Sequence, residues 1–217
     1  FIKKSLLFLV SFAAGALLGD VFIHLLPEIV ESTGFGLNVA FSILIGIIIF
    51  FILEKFLYWH HCHDEDCTKH NKPLAYINLI GDSLHNFIDG ILIAGSYLVN
   101  IGLGIATTIA VLFHEIPQEI GDFGVLLHSG YTKNRALLFN FLSAITSFLG
   151  AILFLIMGSL IENLTSFILP LTAGGFLYIA TSDLIPELHK ESKVSYSFIH
   201  LIGMIFGIFV MFLLTLL

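Results

Sequence analysis

Hydrophobic positions fill this chain in seven long blocks, at roughly 5–27, 38–59, 74–97, 101–127, 136–160, 166–187 and 197–217, with short polar stretches between them. Each block approaches the ~20 residues that a helix needs to cross the hydrocarbon of a bilayer. Apolar residues run on within each block and do not alternate with the period of two that marks a barrel strand. The pattern therefore predicts an all-α, polytopic membrane helix bundle of seven spans, forming a single transmembrane domain over residues 1–217. Composition agrees, because only 12% of the residues are charged, about half the fraction usual in soluble domains.

The charges that remain are distributed unevenly. If the chain changes sides after each span, Lys3, Lys4, Lys55, Lys69, Lys72, Lys133, Arg135, Lys190 and Lys193 all fall on one side, and the opposite loops hold no basic residue. Basic loops stay in the cytoplasm, which predicts Phe1 inside and the C-terminus outside, with the plasma (inner) membrane as the expected location. The chain opens on Phe1 and not on Met, so a further helix is expected before residue 1, making eight spans with both ends outside. A net charge of -7 provides no basic footprint, and no nucleic-acid partner is expected.

The one strongly polar loop, at 60–73, carries His60, His61, Cys62, His63, Cys67 and His70 on the basic side. A reducing cytoplasm disfavours a disulfide between the two cysteines. Tracts rich in His, Cys and acids contact borderline metals such as zinc. The spacing matches no zinc finger, so the expectation is a loose metal-collecting loop, with a solvated linker as the plainer alternative.

More informative are the polar residues inside the apolar blocks. In "NLIGDSLHNFIDGILIAG" (78–95), Asp82, His85, Asn86 and Asp89 stand three or four residues apart and so share a helix face. In "VLFHEIPQEIGDFGVLL" (111–127), His114 and Gln118 share one face, and Glu115 and Glu119 the adjoining one. An ionisable side chain at the bilayer centre costs at least ~2.5–3.5 kcal/mol. A divalent cation would offset the carboxylate charge and occupy the imidazole and amide lone pairs. The mixture of His and carboxylate donors suits zinc, iron, manganese or cobalt better than magnesium or calcium. The bland alternative, polar residues acting as glue between helices, explains one such residue more easily than six. Pro117 lacks a backbone donor and is expected to open its helix beside these residues.

Two other spans carry a related signal. "GDVFIHLLPEI" (19–29) places Asp20, His24 and Glu28 on one stripe, and "TSDLIPELHKE" (181–191) holds Asp183 and Glu187. Each contains an aspartate followed by a Pro-Glu pair, and the two cross the membrane in opposite directions, the mark of an inverted repeat. Their acids are expected to line an entry funnel and an exit path, unless they are merely interfacial residues. In the fifth block, Asn140, Ser143, Thr146 and Ser147 read as close helix packing.

With these residues in view, "HNFIDG" followed by "HEIPQEIGDFGVLL" resembles the paired-helix signature of the ZIP (Zrt/Irt-like) metal transporters, in the branch whose fifth helix reads His-Glu-x-Pro-His-Glu. The resemblance implies an eight-helix fold in a 3+2+3 arrangement, of which the first helix would precede this chain, and a homodimer in the lipid bilayer. It implies import of a divalent metal ion, zinc first and Fe2+, Mn2+, Co2+ or Cd2+ besides, as cargo and not as a catalytic cofactor. It assigns His85, Asp89, His114 and Gln118 to a principal metal site, and Asn86, Glu115 and Gln118 to a neighbouring one, with Glu119 able to compensate for the weak amide ligand at 118. Binding through imidazole should weaken in acid, where protons compete. The rival reading is an intramembrane metal-dependent hydrolase, since "HEIPQ" begins like H-E-x-x-H, although Gln118 replaces the second histidine. On the transporter reading the protein is not an enzyme.

The topology can be tested by labelling single cysteines in a Cys62→Ser/Cys67→Ser background. Asn100→Cys should react with an impermeant maleimide from outside intact cells, and Lys133→Cys only after permeabilisation. The reverse pattern would invert the bundle.

Overall fold

The computed structural model describes residues 2–58, 71–158, 164–191 and 194–216. These residues form ten α-helical segments: α1 Ile2–Gly19, α2 Leu26–Thr33, α3 Leu37–Tyr58, α4 Asn71–Val99, α5 Ile101–His128, α6 Lys133–Ala144, α7 Thr146–Gly158, α8 Leu164–Tyr178, α9 Ile185–His189 and α10 Val194–Leu214. Short π-helical segments, Asp20–Leu25 and Ile179–Leu184, join α1 to α2 and α8 to α9. The segments combine into seven long rods that match the seven apolar blocks. Six of the rods are long and apolar enough to cross a membrane, and α4 is not among them. At 29 residues it has the length, but Asn78, Asp82, His85, Asn86 and Asp89 lower its hydropathy. The chain is an integral membrane protein.

The His/Cys-rich loop predicted at 60–73 falls largely outside the described residues; the described chain resumes at Asn71, with α4.

Helix ends and irregularities follow local chemistry. Asn100 caps α5, its side-chain oxygen accepting from the backbone N–H groups of Gly102 (2.7 Å) and Leu103 (3.4 Å). At the other end Gly130 takes φ +87°, a conformation that costs glycine little. The N–H groups of Gly130 and Tyr131 then close on the carbonyls of Leu127 and Leu126. The two π-helical segments each stand immediately before a Pro-Glu pair, Pro27-Glu28 and Pro186-Glu187. Proline cannot donate to the carbonyl four residues back and its ring crowds that carbonyl. The preceding turn widens so that Leu26 N–H reaches Val21 O, and Ile185 N–H reaches Ala180 O. At Pro117 the expected opening does not occur. α5 runs through it without a change of helix type, and the loss is confined to the hydrogen bond that Phe113 O would have accepted.

In the bundle α4 packs against α5 and α7, α1 against α5 and α10, and α8 against α3 and α4. The α4–α7 contact is the most intimate near the polar residues. A methyl group at Gly90 would collide with the backbone carbonyl of Ser147, and one at Gly150 with that of Phe87, so each helix presses a glycine onto the other's backbone. Thr146 Oγ1 adds a hydrogen bond of 2.6 Å to Ser83 O. Small residues allow this approach, and the backbone contact takes the place of the hydrophobic drive that lipid cannot supply. The reading of the fifth block as packing residues agrees with the positions of Ser143, Thr146 and Ser147 at the α6–α7 break.

Gly90→Ala and Gly150→Ala should each destabilise the protein by about 1–3 kcal/mol through overpacking. Gly124→Ala, where an added methyl meets nothing within 4 Å, should be neutral or slightly stabilising, since alanine is the better helix former. Thermal unfolding in detergent would read the difference.

Candidate metal site between two antiparallel helices

Helices α4 and α5 bring four ionisable side chains to one point. His85 and Asp89 lie one turn apart on α4, and His114 and Glu115 are adjacent on α5. His85 Nε2 is 3.2 Å from His114 Nε2, 3.3 Å from Glu115 Oε1 and 3.7 Å from Asp89 Oδ2. His114 Nε2 is 3.1 Å from Asp89 Oδ2 and 3.4 Å from Glu115 Oε1. Four donors held 2.0–2.1 Å from one tetrahedral zinc ion lie roughly 3.3 Å from one another. The separations of the two imidazoles and two carboxylates cluster about that edge length. Two imidazole nitrogens facing each other cannot both carry a proton along the line between them, so the geometry suits lone pairs aimed at a shared cation.

The surroundings hold these donors in place. Phe50 of α3 meets the His85 ring edge-on at 5.6 Å, and Phe176 of α8 meets His114 at 6.2 Å. His114 Nδ1 faces Ala110 O at 3.4 Å, which leaves Nε2 for the site, the arrangement usual for metal-bound imidazole. Asp89 is 1% exposed; its Oδ1 has no hydrogen-bond partner among the described residues, and its Oδ2 faces the His114 and His85 imidazoles. A buried anion with so few donors is costly, and a cation offsets that cost.

A second group adjoins the first. One oxygen each from Asp82, Glu115 and Glu119 lie within 4.8 Å of one another, so Glu115 belongs to both groups. Asn86 Nδ2 and Gln118 Nε2 both turn toward Asp82 Oδ1, at 3.0 and 3.5 Å. Asn140 of α6 donates to Glu119 O at 2.8 Å, and Asn78 to Asp122 Oδ1 at 3.0 Å.

A cavity of about 590 Å³ leads away from the site. Asp82, His85, Gln118 and Asp122 form part of its wall, and Glu54, Asp183 and Glu187 line it as well. Leu6, Leu53 and Val125 place its mouth at the ends of α1, α3 and α5 that lead into the basic stretches. Along α4 and α5 on the other side of the site, Leu92, Leu103, Ala106 and Ala110 are all buried. The site opens toward one end of the bundle and is closed toward the other.

The remaining predicted residues divide between these two sides. Asp20 does not stand at a rim: it is fully buried, 3.2 Å from His24 Nδ1, and accepts from Thr107 Oγ1 at 3.2 Å. Thr107 is seven residues from His114 on α5, roughly 10 Å along the helix, so the Asp20–His24 pair lies on the closed side. Glu28 is partly exposed on α2. Asp183 and Glu187 are exposed at the cavity, where Glu187 pairs with Lys190. Sequence reasoning gave no part to Glu54, Phe50, Phe176 or Asn78. Asn78 was within reach, being four residues before Asp82 on the same face; Glu54 read as an ordinary helix-end acid, and the two phenylalanines are indistinguishable in sequence from lipid-facing ones.

The family described as "ZIP Zinc transporter" matches the chain over residues 1–74 and 59–215. Curated relatives include the zinc transporter ZIP13 homolog of Drosophila melanogaster, 34% identical over 99% of this chain and 79% of its own length. Zinc transporter ZIP13 of Pongo abelii is 36% identical over 96% of this chain and 66% of its own. The uncharacterized zinc transporter P8A3.03 of Schizosaccharomyces pombe is 33% identical over 82% of this chain and 55% of its own. The chain thus spans from about half to about four fifths of the length of these relatives.

Zinc at a hundred times its dissociation constant should stabilise the purified protein by about 2.7 kcal/mol, seen as a raised melting temperature. A His85→Ala/His114→Ala variant should show no such rise. An equal rise in both would remove the metal from this site.

Proposed function

Because the chain belongs to the ZIP zinc transporter family, we propose that it carries zinc across a membrane toward the cytoplasm through the site between α4 and α5. The observation that supports this most directly is the convergence of His85, Asp89, His114 and Glu115 at tetrahedral-edge separations. Names of the relatives point the same way. Fe2+, Mn2+, Co2+ and Cd2+ are further cargo on this reading, because the donor set is mixed nitrogen and oxygen.

The basic loops would face the cytoplasm, the C-terminus the outside, and the membrane would be the plasma or inner membrane. The shape described is then open inward. Metal arriving from outside would pass the buried Asp20–His24 pair once the closed side opens, shed water, and bind between the two histidines. It would leave through the cavity past Asp82, Asp122, Asp183 and Glu187, with the His/Cys-rich loop as a collector beyond. Alternating exposure of the site to the two sides requires one group of helices to move against the other, and a homodimer would steady the group that stays still. No observation favours the hydrolase reading: the position that would complete H-E-x-x-H is Gln118, whose amide turns toward Asp82.

Liposomes containing the full-length protein and an internal zinc-sensing dye test the proposal. Zinc added outside should enter, and His85→Ala/His114→Ala should reduce the rate to that of empty vesicles. Unchanged entry in the double variant, or no entry at all with wild type, would overturn it.

A further inference from the structure

The two phenyl rings beside the imidazoles belong to a different pair of helices from the metal donors. Phe50 of α3 is 2% exposed and Phe176 of α8 is fully buried, and neither offers an atom to a metal. Ring centres lie 5.6 Å apart for Phe50 and His85, and 6.2 Å apart for Phe176 and His114. Adjacent residues of α8 serve both contacts. Phe176 reaches His114 itself, and Gly175 leaves the space that the Phe50 ring fills, where a Cβ would collide with it. The backbones of α3 and α8 are pressed together. A Cβ on Gly46 would meet Leu171 O, and one on Gly174 would meet Ile43 O. Both rings are thus held by α3 and α8, not by the helices that carry the donors. Of the two, Phe50 is the ring that lines the cavity, together with Asp82 and His85.

We infer that Phe50 is a specificity-determining residue of this site. Its ring, seated by Gly175, keeps water off the ion beside His85 and so selects a four-coordinate ion over a six-coordinate one. This rests on the reading of the histidine site as zinc-binding, and gives that site a basis for choosing among ions. Four protein donors at tetrahedral separations complete the sphere of zinc, which has no geometric preference from its d electrons. Mn2+ favours an octahedral, oxygen-rich sphere. At a site with four protein donors, its remaining ligands have to be waters from the cavity. A hydrocarbon edge cannot stand in for a water ligand, nor hydrogen-bond to one. With the ring in place the zinc sphere is complete and the Mn2+ sphere is short of ligands. Apolar shells act at metal sites in this way, by controlling solvent access.

The test uses the purified full-length protein loaded with Co2+, whose visible absorption is intense when four-coordinate and weak when six-coordinate. Displacement of Mn2+ by zinc, followed by electron paramagnetic resonance, gives the preference between those two ions. Wild type should show the intense band. Phe50→Ala should weaken the band and reduce the preference for zinc over Mn2+ at least tenfold. Phe50→Met, which refills the space with an apolar side chain, should restore both. Phe154→Ala removes a phenyl ring that is 3% exposed and packs at Gly95, and should change neither. A weak band in wild type, or an unchanged band and preference in Phe50→Ala, would overturn the proposal. The same loss in Phe154→Ala would also overturn it, by reducing the effect to loosened packing. Should Phe50→Ala fail to fold, the smaller truncation Phe50→Val is read by the same criteria. An intense band that survives in His85→Ala/His114→Ala would instead overturn the histidine site, a result distinct from failure of the ring.

Discussion

Anionic side chains placed at membrane depth, with imidazoles and no described lysine or arginine beside them, govern this structure. Asp89 is buried with Oδ1 lacking a donor and Oδ2 against the His114 imidazole, and Asp82 is buried with one oxygen lacking a donor. Among the described residues the lysines and the arginine stand at helix ends, away from the point where α4 and α5 bring these acids together. Water can screen charges only where it can reach, and the cavity opens the site toward one end of the bundle. The groups must either hold protons or hold a metal, and the imidazole and carboxylate atoms are arranged at the separations that a tetrahedral ion sets. Much of the remaining architecture can be read as what keeps such donors together despite their mutual repulsion.

Close backbone packing is part of that. The glycine contacts between α4 and α7 let two helices meet at their main chains, which fixes the position and rotation of α4 and with it the directions of His85 and Asp89. Hydrogen bonds from Thr146 to Ser83 O and from Asn140 to Glu119 O extend the clamp to α5 through α6 and α7. These contacts are short-range and steric, and they do not depend on an apolar driving force that a lipid environment would cancel. The two π-helical segments have a different character. They lie on the rods flanking the α4–α5 pair, each ahead of a proline, and leave the local backbone less regular where Asp20 and Asp183 sit. One acid is sealed within the bundle and the other faces the cavity, so related local sequences occupy unlike environments.

The number of long rods and the helical class follow from composition and periodicity alone, because lipid leaves a spanning backbone little choice but the helix. The three- and four-residue spacing of Asp82, His85, Asn86 and Asp89 placed them on one face for the same local reason. Local rules went astray at Pro117, where α5 continues as regular helix.

What one dimension could not decide is which face meets which. Sequence spacing grouped His114 with Gln118, yet the fold turns Gln118 toward Asp82 and brings Glu115 against both histidines. Distances between α4 and α5 depend on their relative rotation and depth, which are set by packing against α7, α3 and α8. The burial of Asp20, the opening of the site to one end only, and the lining of the cavity by Glu54 all come from helices distant in sequence. Periodicity along a chain carries the direction of a side chain about its own helix axis; only packing between helices turns those directions into a coordination sphere.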